Sequence, residues 1–157
     1  MNLADYLDRE LDLSAFYGIF PNKKRQLLVQ QLVSQSSGGE LVAGVQKLAQ
    51  KILLILLTIK GSKPYRPADG TLFIEDARRG AWRTVADVNQ SFLFAKIDIR
   101  EQVLADETAS TPADERYGNV RILGVTLIGT KVSFTLEVKS AAGSRYKFLV
   151  PLGVVLR

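Results

Sequence analysis

The chain has 157 residues, a formal charge of +5, 46% hydrophobic residues, and neither cysteine nor histidine. That length fits one domain with a real core, and the apolar content excludes a disordered chain. The missing residue types exclude a disulfide framework, a thiolate zinc site and every histidine-based catalytic or pH-sensing device.

Leu3, Tyr6, Leu7 and Glu10 recur at helical spacing behind a possible Asn2 cap, which predicts a short first helix. No basic region followed by an apolar one opens the chain, so no signal peptide is expected. Residues 12–22 read as an irregular connection holding Phe16, Tyr17 and Phe20. Lys23-Lys24-Arg25 is the densest basic cluster and Arg78-Arg79 the second; a solvated surface is the simpler reading of both. Residues 26–33 fit helix and strand about equally, and strand is preferred. Ser34-Gln35-Ser36-Ser37-Gly38-Gly39 is a loop. Gly38-Gly39 precedes a helix, but no Lys-Ser or Lys-Thr follows at phosphate-loop spacing.

Residues 40–58 predict the first strong helix, with Leu41, Val45, Leu48, Ile52 and Ile55 on one side and Gln46, Lys47, Gln50 and Lys51 on the other. Its last two turns are apolar all round, which predicts enclosure by other elements. The run Ile52 to Ile59 is far below the roughly 20 residues of a membrane span. Gly61 is placed to stop the helix in a left-handed conformation. Pro64 and Pro67 then fix two φ angles, and Gly70 permits a further bend. A rigid loop displaying Lys63, Tyr65 and Arg66 is expected.

Residues 71–74 read as a short strand. A second long helix is predicted from about residue 84 to 105, capped by Thr84 with Asp87 as its box partner. Its buried stripe would be Val85, Val88, Phe92, Ala95, Ile99 and Val103. After an acidic loop at 106–118, three strands follow: 120–128, 131–139 and 146–150. Gly129-Thr130 is a hairpin signal. The middle strand alternates Val132, Phe134, Leu136 and Val138 against Lys131, Ser133, Thr135, Glu137 and Lys139. Pro151 is expected to end the third, leaving an apolar tail. The fold class is α+β, with two main helices on one face of a small antiparallel sheet. No repeat or low-complexity segment interrupts it.

None of the candidate chemistry outweighs its simpler reading. Glu75-Asp76 and Asp114-Glu115 are paired acids in short loops without further ligands. Ser62 and Lys63 are adjacent in a proline-bracketed turn, which gives a Ser-Lys dyad no geometry. Trp82 and Tyr117 could stack on bases, but Phe134, Tyr146 and Phe148 fall on core positions. A three-stranded sheet, by contrast, has two edges of unpaired N–H and C=O groups, which another chain can extend; the chain's own residues 26–33 or its tail could instead cover them.

The order of elements, with Leu56-Leu57-Thr58, Gly61, Pro64, Arg66-Pro67, Gly70 and Leu72 at the junction, resembles the baseplate wedge family of contractile-tailed phages. That family is sometimes labelled lysozyme-like and has a counterpart in type VI secretion baseplates. The resemblance spans residues 40–150, with 1–39 as a separate N-terminal extension. Ser62-Lys63 replaces the family's usual Glu-Arg, Asp69 its usual aromatic, and Asp114-Glu115-Arg116 its Glu-Pro-Arg element. The resemblance implies a virion protein that is not an enzyme and needs no cofactor or metal. It would be made in the host cytoplasm and built into the baseplate near the tail tube. Its sheet would be similar to the interlocking domain of the tail sheath and would template the first sheath ring by strand addition. Its partners would be the sheath protein and other wedge and hub subunits, with no membrane and no small-molecule substrate. The implied contact residues are Lys63, Pro64, Tyr65, Arg66, Pro67, Gly70, Glu115, Arg116, Lys131, Ser133, Thr135 and Glu137. The rival reading is a nucleic-acid-binding module using Lys23, Lys24, Arg25, Lys63, Arg66, Arg78 and Arg79. Hydrolysis is ranked last, since no general-acid glutamate in an apolar pocket can be picked out.

Overall fold

The computed structural model describes residues 12–13, 16–19, 27–30, 41–129 and 131–153, the short segments before Val42 by backbone alone. The expected helix at 3–10, the basic run 23–25, the loop 34–39 and the tail after Gly153 lie outside them. Two short ladders come first. β1 (Asp12–Leu13) pairs antiparallel with β4 (Leu41–Val42), and β2 (Phe16–Ile19) pairs antiparallel with β3 (Leu27–Gln30). The segment read as irregular therefore carries strand, and residues 27–30 are strand as preferred.

The long apolar helix is α1 (Val45–Leu57), shorter than expected because Leu41 and Val42 join a ladder. It has no acidic residue in its first turn and no side-chain cap of its own. Glu115 supplies both from a distant loop: its Oε1 accepts the Gly44 N–H at 3.1 Å and its Oε2 lies 3.3 Å from Lys47 Nζ. A carboxylate there also suits the positive end of the helix dipole. Gly44 has φ of +63°, and a Cβ on it would meet Asp114 Oδ2 at 2.7 Å. Leu48, Ala49, Ile52, Leu53 and Leu56 are buried, whereas Leu54 is exposed. The apolar last turns are thus enclosed on one side only.

Residues 73–78 form a helix, α2 (Phe73–Arg78), where a strand was expected. The reason is spacing: Phe73 and Ala77, four apart, are the buried pair, and Glu75 and Arg79 form an i,i+4 ion pair outside. Phe73 meets Trp82 at 4.5 Å, Phe134 at 5.5 Å and Phe92 at 6.1 Å between ring centroids. This aromatic knot joins both helical layers to the sheet, and Trp82 is fully buried in it.

α3 (Val85–Asp106) starts at the expected capping box. Thr84 Oγ1 accepts the Asp87 N–H at 3.2 Å, and Asp87 Oδ2 accepts the Thr84 N–H at 2.7 Å. Hydrogen bonds to the carboxylate, from the Thr84 N–H foremost, then the Thr84 hydroxyl and the Arg83 N–H, hold the Asp87 carboxyl below its ordinary range. Val88, Phe92, Ala95, Ile99 and Val103 are buried as expected, but Val85 faces solvent.

The sheet is an antiparallel meander of β5 (Tyr117–Ile128), β6 (Lys131–Ser140) and β7 (Arg145–Gly153), in that spatial order. Val120, Val132, Phe134, Leu136, Val138, Phe148 and Val150 pack against the helices. β5 is longer than expected and slips register at Gly118 and Leu123. At Gly118 a Cβ would meet Ser140 O at 2.6 Å, so only glycine allows the close approach. β7 does not end at Pro151, which pairs with Ser133. An edge strand accommodates proline by turning its donorless nitrogen outward. The α+β architecture is as expected, with α2 and the N-terminal ladders added.

Candidate interaction site

The junction between α1 and α2 is a closed loop fastened at its neck. Thr58 is extended and ends α1 before Gly61, whose φ of +83° serves a later turn. Thr71 N donates to Thr58 O at 2.8 Å and Lys60 N donates to Thr71 O at 3.0 Å, while the Thr71 hydroxyl donates to Leu56 O at 3.0 Å. Gly70 is gripped from α3. Gln102 Oε1 accepts its N–H and Gln102 Nε2 donates to its carbonyl, both at 2.8 Å. Gly70 has φ of +90°, and a Cβ on it would lie 2.4 Å from Thr58 O. Within the loop, Asp69 holds both Lys63 at 3.3 Å and Arg66 at 3.2 Å. Tyr65, between Pro64 and Pro67, is 98% exposed. Lys63 and Arg66 are on display as expected, tethered at the surface by one carboxylate, and Tyr65 is the most exposed of the three. A groove of about 550 Å³ lies beneath it, between α1 and α3. Its cations and acids are matched by Lys60–Asp98 at 2.7 Å and Lys51–Asp106 at 3.1 Å.

Glu115 and Arg116 stand away from this loop, in the connection before β5. Glu115 is the α1 anchor already described. Arg116 donates from Nε to Thr111 O at 2.8 Å and from Nη2 to Ala109 O at 2.9 Å, bracing its own connection. Both do internal work in this chain.

Lys131, Ser133, Thr135 and Glu137 lie together on the sheet face turned away from the helices. They belong to β6, whose backbone is paired on both sides. What they can offer a partner is side chains. Glu137 is 4% exposed, flanked in register by Arg121 on β5 and Lys147 on β7. Its Oε1 accepts from Arg121 at 2.7 Å and its Oε2 lies 3.3 Å from Lys147 Nζ. The Arg121 hydrogen bond, aided by Lys147, holds the Glu137 carboxyl below the usual glutamate range.

The backbone capacity sits on β5, which residue-by-residue reasoning passed over. Its outer side has no partner strand among the described residues. From Leu123 to Ile128 every residue is exposed or half-exposed, and Ile128 is 71% exposed. No charge guards that half of the strand. The other edge, β7, also lacks a hydrogen-bonded partner strand among the described residues, but Arg145 and Lys147 charge it and Pro151 interrupts its row of donors. The signal for β5 was topological. The first strand of a three-stranded meander is an edge by necessity, and Leu123 and Thr126 leave it uncharged.

Of the rival basic set, Lys63, Arg66 and Arg79 are engaged in ion pairs. No helix among the described residues is long and apolar enough to cross a membrane. Comparisons with family models, with curated proteins and with solved structures find no match for this chain.

Proposed function

We propose that this chain is a structural protein of a contractile tail, a baseplate subunit that starts the sheath by accepting a strand on β5. The observation that carries the reading is the uncharged outer edge from Leu123 to Ile128, which has no partner strand among the described residues. Soluble proteins shorten, charge or cover such edges because they recruit other chains. An uncharged edge opposite one that carries Arg145, Lys147 and Pro151 supports a directional docking site, one partner strand per subunit. The sheet is then interlocking-domain-like in use: a sheath subunit contributes the fourth strand, and its backbone amides complete the ladder. The fastened loop supports a second contact, with Tyr65 as an aromatic anchor toward wedge or hub subunits. Aromatic side chains on rigid supports lose little entropy on docking.

Particles assembled without this chain should carry bare tubes with no sheath, as seen by negative-stain imaging. Normally sheathed, contractile tails in its absence would refute the assignment.

A further inference from the structure

α3 is apolar on two sides. The inner stripe packs on the sheet, yet Leu93, Phe94 and Ile97 on the outer side are 62%, 63% and 58% exposed, and Leu104 is exposed too. A helix lying on a domain ordinarily keeps that face polar. The outer positions also follow a rule. Within the helix Ala86, Gln90, Leu93, Ile97, Arg100 and Leu104 recur at alternating intervals of four and three, the spacing of a coiled-coil seam.

We propose that this seam pairs two copies of the chain through antiparallel α3 helices about a two-fold axis. The second copy is favoured because the seam complements its own reverse. When one helix is laid antiparallel on another with the axis beside Ala95, Leu93 meets Ile97 of the other copy, twice by symmetry. The next layers set Gln90 against Arg100, a hydrogen-bonding pair. Beyond these, small Ala86 faces Leu104, so volume is matched. Just beyond the helix ends, Arg83 before the N-cap and Glu107 at the C-cap bring opposite charges to both ends of the interface. Seam residues from 83 to 104 are exposed, so nothing described within the chain competes for them. A two-fold contact needs one patch that is complementary to itself, and this helix has one. The pairing uses α3 and is independent of strand addition on β5.

Sedimentation velocity on the full chain tests the inference. Rising concentration should convert a monomer into a species of twice its mass. Leu93→Glu and Ile97→Glu should each abolish that species with unchanged circular dichroism, whereas Lys131→Glu should keep it. Orientation is read separately, since the chain has no cysteine of its own. A mixture of Gln90→Cys and Arg100→Cys should give the mixed disulfide under mild oxidation, and neither variant alone should cross-link. A wild type that stays monomeric to its solubility limit would overturn the proposal, leaving the face to another protein. A dimer surviving Ile97→Glu, or self-cross-linking of Gln90→Cys alone, would overturn it equally.

Discussion

The Pro64–Gly70 loop and the outer half of β5 both face solvent, and they present opposite parts of the chain to it. In the loop the backbone is settled at the neck. Thr58, Thr71 and Gln102 take its amides and carbonyls, and side chains are what it shows, Tyr65 foremost with Lys63 and Arg66 beside it. On β5 the side chains are uncharged and the backbone is what remains, one row of hydrogen-bonding groups without a neighbouring strand among the described residues. The first arrangement gives an anchor of fixed position. The second gives a template that reads any extended segment of suitable shape and takes its affinity from main-chain bonds. Under the proposed assembly role, the two surfaces impose different demands on a partner.

The comparison can be broken most forcefully at Gly70. Gly70→Ala forces a Cβ into Thr58 O at a φ that side chains avoid, and should cost about 3 kcal/mol in urea denaturation. Gln102→Leu removes both bonds to Gly70 and should cost about 2 kcal/mol while leaving α3 helical. If both variants matched the wild type, the loop would not be fastened as described. Tyr65→Ala and Arg66→Ala should change stability by less than about 0.5 kcal/mol, since an exposed phenol and a surface ion pair contribute little. Each should still lower incorporation into particles. On the other side of the comparison, Leu123→Lys and Ile128→Lys should leave the monomer's melting curve within the same margin and abolish sheath assembly.

The smallest effect concerns Glu137. Its carboxyl titrates below the ordinary range in the folded chain, so the folded state favours the ionised form more than the unfolded state does. That contribution is complete above the unfolded pKa and disappears as pH falls through the folded one. Glu137→Gln should therefore flatten part of the acid limb of a stability–pH curve and leave neutral pH nearly unchanged. An acid limb of identical slope would mean that Arg121 and Lys147 do not hold the carboxylate in solution.

Periodicity sufficed where one face of an element is buried and the other wet. α3 with its Thr84–Asp87 cap, and the alternation of β6, are read directly from their residues. It failed at residues 71–74, where a short apolar run has no length to separate strand from helix and the aromatic knot around Phe73 decides. It also failed to see that Asp69 would recruit Lys63 and Arg66, or that Glu115 would cap α1 from 71 residues away, since such contacts depend on tertiary placement. The proline-bracketed loop and the side chains it holds out, Lys63, Tyr65 and Arg66, were legible from the prolines and glycines alone. The bare edge was legible only as a consequence of strand order, because no residue type marks an unpaired backbone.

The claim that matters most is that β5 receives a strand from another subunit. A reconstruction of the assembled tail at a resolution that separates strands tests it directly. The account predicts a foreign strand hydrogen-bonded along Leu123 to Ile128, extending the meander to four. An edge that is bare in the assembled tail, or covered by this chain's own residues, would contradict it.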